Sequence, residues 1–196
     1  MMEKREHILN TVLSFLSHSD REDSLTIANV ARALNMGKST IYEYFDSKDD
    51  MIQSAFELML QQNRAAILND EELKTLTFKK AFINHMNRGL ELAKNNVFIR
   101  DFTHHPDILK LPEKTKEAMF NAVQENNEYL EKAMRKIFEK GRNERVLENR
   151  IKEERFRTIE AMIFGMMIAM NTPFSNWDKR SQIEDMYKAI LTLVNT

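Results

Sequence analysis

The stretch "NMGKSTIYEYFDSKDDM", Asn35 to Met51, sets one apolar pair, Ile41 and Phe45, among hydroxyls, tyrosines and charges. Before it, "TIANVARAL" (Thr26 to Leu34) carries Ile27, Val30, Ala31 and Leu34 as one apolar stripe at helical spacing. Thr26 stands where a helix N-cap is expected. Two short helices joined by a few residues with a glycine make a helix-turn-helix. A left-handed backbone angle at the join would cost Gly37 little, and Asn35 also tolerates one. At about 100° per residue, Ile41 and Phe45 point inward, while Ser39 and Glu43 point outward. Thr40 and Tyr42 take the shoulders, and Lys38 and Tyr44 lie nearer the edge. Small polar groups that reach base edges, flanked by groups that grip phosphate, are what a helix in the major groove requires.

The same helical grammar runs outward from this stretch. Glu3 to Ser17 precedes it with Ile8, Val12, Phe15 and Leu16 in register. Ser47 and Asp50 have the spacing of an acidic capping box, so a long helix is expected from Lys48 to Leu68. Further helices are expected over Thr77 to Lys94, Asn96 to Thr103, Pro112 to Lys140, Ile151 to Asn171 and Lys179 to Val194. Gly141 is placed as a C-terminal stop. With four glycines and three prolines in 196 residues, the chain lacks the turn residues that strands demand. The expected fold is all-α: a three-helix DNA-reading module over 1–47 and a larger helical domain over 48–196.

Composition removes other classes. The absence of cysteine excludes disulfides and thiolate metal sites. The N-terminus lacks a signal-peptide pattern. The longest apolar run, Ala161 to Met170, is about half of the roughly 20 residues a membrane span needs, so a cytoplasmic protein with no membrane partner is expected. No phosphate-cradling glycine loop, nucleophile elbow or zinc-helix motif is present, so no enzyme, catalytic residue or cofactor is expected. His104 and His105 are adjacent, but spacing places no third metal ligand beside them. His7, His18 and His85 are isolated and read as structural or solvated.

The stretch "LTIANVARALNMGKSTIYEYFDSKDDMI" resembles the N-terminal signature of the tetracycline-repressor (TetR) family of bacterial regulators. Val30 and Ala31 stand in that signature's Ile-Ala places and Met36 in its Val place. Lys38, Thr40, Ile41, Tyr42, Tyr44, Phe45, Ser47 and Lys48 fit the remainder. The resemblance implies that Thr26 caps the second helix and bonds a phosphate. It also implies that Lys38, Ser39, Thr40 and Tyr42 lie along the major groove of double-stranded DNA, and that Tyr44 and Lys48 meet phosphates. Three residues depart from the pattern: Gly37 where Ser is usual, Ser39 where Gly is frequent, and Asn35 in place of the turn glycine. Glu43 could accept from a cytosine amine or only repel phosphate, and repulsion is the favoured reading. Residues 1–50 hold six basic and nine acidic side chains, a net of −3, which predicts a shallow salt dependence of DNA binding.

The C-terminal part carries less specific signals. Phe156 to Met170 is apolar nearly all round, so burial on more than one side is expected. Ala161, Gly165 and Ala169 recur every four residues. With Ile183, Met186, Tyr187 and Ile190 of the last helix, they are the candidate homodimer seam, an arrangement the resemblance favours. Phe82, Met86, Phe98, Phe102, Phe120, Met162 and Met166 are candidates for the wall of a pocket holding a small, largely apolar effector, with Asn127 among its polar groups; ordinary core packing explains them as well. The resemblance therefore implies a ligand-responsive repressor that binds a palindromic operator as a homodimer. A helical adaptor that binds protein instead is the alternative.

Overall fold

The computed structural model describes residues 2–17, 25–95, 106–148, 151–170 and 176–195. Among them every regular element is an α-helix: α1 (Met2–Ser17), α2 (Ile27–Ala33), α3 (Lys38–Tyr42), α4 (Lys48–Ala65), α5 (Asp70–Thr75), α6 (Phe78–Asn95), α7 (Pro106–Leu109), α8 (Glu113–Asn143), α9 (Glu153–Met170) and α10 (Lys179–Asn195). The helix expected over Asn96 to Thr103 lies outside the described residues, as do Phe98, Phe102, His104 and His105.

The helices gather into two compact units, residues 1–65 with 95–127 and residues 66–94 with 128–196. This packing division differs from the boundary expected at 47/48, because α4 packs along α1 inside the first unit. There, Ile8, Val12 and Leu16 of α1 meet Val30, Ile41, Phe45, Ile52 and Phe56 in one core. Two polar side chains buried with them, Ser54 and Asn126, are each reached by an arginine. Arg5 Nη2 donates to Ser54 Oγ at 3.0 Å, and Arg64 Nε donates to Asn126 Oδ1 at 3.2 Å.

The second unit is built on aromatic rings. Tyr187 lies 5.6 Å from Phe78 and 5.7 Å from Phe82, centroid to centroid. Phe138 lies 5.9 Å from both Phe78 and Phe156. Offset and edge-on pairs at such spacings add to area burial. Arg135, held by Glu131 and Glu153, covers the outer ring of Phe156 at 3.9 Å.

Helix ends correct two sequence expectations. The long helix stops at Ala65, and Asn69 opens α5 with a complete capping box: Glu72 N–H donates to Asn69 Oδ1 at 2.9 Å and Asn69 N–H to Glu72 Oε2 at 3.1 Å. The signal was Asn-x-x-Glu within "NDEE". Gly141 is no stop, since α8 continues to Asn143. A Cβ on Gly141 would lie 2.9 Å from both the Phe78 ring and Leu147 Cδ1, so the glycine serves close packing. Arg145, at φ 58°, makes the left-handed turn instead.

Candidate nucleic-acid interface

The join between α2 and α3 is a Schellman turn. Asn35 N–H donates to Arg32 O at 3.1 Å, and Met36 N–H to Ala31 O at 2.8 Å. Asn35 takes the left-handed angle, φ 52°. Gly37, at φ −75° and ψ 151°, opens α3 in an extended conformation that any residue adopts, which corrects the expectation of Gly37 as the turn-maker. Ile41 and Phe45 are fully buried, each contributing about 1.5–3 kcal/mol, and Phe45 N–H still donates to Ile41 O at 3.1 Å. Arg5 of α1 lies 5.2 Å above the Phe45 ring. With its bond to Ser54, it joins α1, α4 and the end of the α3 segment. Nothing in the sequence pattern marked Arg5, because its partners are distant along the chain.

The opposite face of α3 is open. Lys38, Ser39 and Glu43 are exposed, Thr40 is half-buried, and Tyr42 is 56% exposed. Tyr44 leans on Phe45, ring centroids 6.5 Å apart, and remains partly accessible. Thr26 caps α2, its Oγ1 accepting from Asn29 N–H at 3.1 Å; the hydroxyl keeps a proton to donate. Ser47 Oγ caps α4 by accepting from Asp50 N–H at 3.0 Å, but the Asp50 carboxylate accepts from Asp46 N–H, not from Ser47. The expected box is thus half formed. At this helix start Lys48 Nζ is paired with Asp107 Oδ1 of α7 at 2.6 Å, a partner the sequence did not reveal.

Residues 23–55 match the family model described as bacterial regulatory proteins, tetR family. The match spans α2, α3 and the first turns of α4. Sequence comparison with curated proteins finds no match; beyond residues 23–55 the likeness to known proteins is one of fold. A TetR transcription regulator from Haloarcula marismortui superposes with a TM-score of 0.68 at 17% identity, covering 100% of this chain and 98% of its own. The TetR family transcriptional regulator PfmR from Thermus thermophilus gives 0.64 at 18% identity, covering 94% and 97%. A TetR family protein from Vibrio parahaemolyticus gives 0.65 at 16%, covering 97% and 98%.

The remaining candidates separate by unit. In the first unit Phe120 is 61% exposed and Asn127 is exposed; the buried amide of that run is its neighbour Asn126. In the second unit Phe82, Met86 and Met166 belong to the core, and Met162 is half-buried. Ile183, Tyr187 and Ile190 also face that core, so their side chains do not form an outer seam. Ala161 and Gly165 do lie on the surface, and Ala169 and Met186 are half-buried. Helix α9 therefore buries one face, not several. Its other face shows Phe164 at 58% exposure, and Trp177 nearby in sequence to α10 is 49% exposed. A shallow groove of about 350 Å³ is lined by Met162, Gly165, Met166, Ala169, Trp177 and Met186, among others.

One polar group of the second unit went unmarked in the sequence. His85 of α6 has its Nδ1 buried, with no hydrogen-bond partner among the described residues. Burial, and secondarily the Arg88 charge, push its pKa down to about 4. Nearby in sequence, Arg88 grips Glu72 through both terminal nitrogens and, with the Asn69 N–H, holds that carboxyl down at about 2. Burial and then the Glu131 charge raise the Glu160 carboxyl. No group of three metal-ligating side chains occurs among the described residues, and no helix there is long and apolar enough to cross a membrane.

Proposed function

We propose that this chain is a TetR-family regulator: a cytoplasmic repressor that binds a palindromic operator as a homodimer and leaves it when a small, largely apolar effector binds. The observation that carries the DNA-reading role is the division of the α3 segment: Ile41 and Phe45 fully buried, Lys38, Ser39, Thr40 and Tyr42 presented outward. Thr26, Tyr44 and Lys48 flank that face as phosphate contacts. The first 47 residues read DNA; those from Lys48 onward serve dimerisation and effector binding, with no catalytic, cofactor or metal role. Support for the dimer comes from the apolar outer face of α9, where Ala161, Gly165 and Ala169 leave room for close approach and Met186 of α10 adds to the seam. Support for an effector in the second unit comes from His85, whose buried Nδ1 has no hydrogen-bond partner among the described residues, on the helix that carries Phe82 and Met86.

The test is selection of random duplex DNA by the purified protein at about 0.1 M salt, followed by sequencing. The expected outcome is an enriched palindrome with half-sites one helical turn apart, about 34–36 Å. The net charge of −3 over residues 1–50 favours one competing reading, a helical adaptor that binds protein. No enrichment from folded, ligand-free protein would establish that reading over the first.

A further inference from the structure

Lys48 is the residue on which two demands meet. As the first residue of α4, it is the cation that this reading offers to a DNA phosphate. Yet its ammonium is already held by Asp107 at 2.6 Å, and the two side chains are unequal: Lys48 is 34% exposed and Asp107 only 11%. The carboxylate side chain is thus the more enclosed of the two, and the lysine the more open to water.

We propose that Asp107 competes with DNA phosphate for Lys48, so that α7 sets the strength of operator binding. This rests on the DNA-reading role proposed above. An ammonium has three donors, so geometry alone would let Lys48 touch both groups. Charge decides otherwise. Each phosphate neutralised by a cation contributes through counterion release, and a lysine balanced by a carboxylate at contact distance presents no net charge to release. In a module whose first 50 residues already sum to −3, one masked cation is a large fraction of those available. Asp107 lies 59 residues from Lys48 in sequence, so any event that shifts α7 changes the charge shown to DNA.

The test uses the full-length protein and the duplex recovered by selection, with affinity measured from about 0.05 to 0.3 M salt. Asp107→Asn should tighten binding about 3- to 10-fold near 0.1 M salt and steepen the salt slope by about 0.9, the increment of one phosphate contact on duplex DNA. In a Lys48→Gln background, Asp107→Asn should change neither quantity. A merely structural Asp107 predicts weaker or equal binding with an unchanged slope, and that result overturns the proposal. Tightening that persists in the Lys48→Gln background also overturns it, since the carboxylate would then act without Lys48. Failure of the wild type to bind any duplex overturns the DNA-reading role itself. Wild-type binding with no response to Asp107→Asn overturns only the competition.

Discussion

The two compact units treat misplaced groups in opposite ways. In the first, the outward face of α3 is polar, and the buried polar side chains Ser54 and Asn126 are each satisfied by an arginine. In the second, the outward face of α9 is apolar, with Phe164 well exposed, and the buried Nδ1 of His85 has no partner among the described residues. Burying a polar group without a partner costs about 1–3 kcal/mol, and large apolar patches on soluble proteins mark interaction sites. In the first unit the buried polar side chains are therefore balanced within the fold, and α3 offers a polar face to a partner. The second carries two unbalanced features, each of which a bound molecule or a second copy would balance.

The largest expected effect attacks the apolar face. Nothing lies within 4 Å of a Cβ added at Gly165, so Gly165→Arg has room within one protomer. Measured by light scattering, it should convert a dimer to a monomer at micromolar concentration, raising the dimer dissociation constant by about 100-fold or more, since an unpaired charge in an apolar interface costs several kcal/mol. The melting temperature of the resulting monomer should show no core defect. A wild-type monomer, or a variant that stays dimeric, would remove the seam from α9 and leave its exposed face unexplained.

The next effect probes His85. Its folded pKa, about 4, lies below the ordinary value near 6.5. Between those pH values the unfolded chain binds a proton that the folded chain refuses, so stability falls as pH drops through this window. Because the residue as a whole is half-buried, the loss should be about 1–3 kcal/mol rather than the full value of the shift. Denaturant unfolding at pH 7 and pH 4.5 should show this decline in the wild type and its absence in His85→Met. Glu72 acts in a lower window: its depressed carboxyl adds stability above about 4.5 that is lost as pH falls toward 2. An equal decline in both proteins would show that His85 is accommodated and would erase half of the contrast between the units.

The contrast also explains what the sequence could tell. Around α3 the determinants are local. Ile41 and Phe45 are one turn apart, Thr26 caps three residues ahead, and the face division follows from helical period alone. The resemblance then assigned roles by position. Asn35 and Gly37 were equally able to make the turn, and only the backbone showed that Asn35 does. Arg5 and Asp107 were illegible because their partners Ser54 and Lys48 lie 49 and 59 residues away. In the second unit, apolar residues all round α9 could not distinguish a doubly buried helix from one with an outer face. Similarly, Ile183, Tyr187 and Ile190 shared the period of Met186 while facing the core. His85 looked ordinary because satisfaction of a side chain is a property of its surroundings, not of its neighbours in sequence.

The smallest effect compares two helix ends of the same design. Arg145 repeats at the end of α8 the turn that Asn35 makes after α2: Arg145 N–H donates to Arg142 O at 2.9 Å, and Val146 N–H to Gly141 O at 2.9 Å. Both residues hold a left-handed φ, 52° for Asn35 and 58° for Arg145. Arginine has a Cβ and no short polar group to compensate, so it bears about 1 kcal/mol of strain there, whereas asparagine tolerates the angle. Glycine removes the strain but adds freedom to the unfolded chain, offsetting part of the gain. Arg145→Gly should therefore stabilise by about 0.5 kcal/mol and raise the melting temperature by about 1–2 °C. Asn35→Gly should change it by a few tenths of a kcal/mol at most. Arg145 is exposed, so no lost packing should confuse the reading. If Arg145→Gly destabilised, the arginine would be contributing a contact through its side chain that outweighs its backbone strain, and the two turns would be alike in hydrogen bonding but not in what holds them.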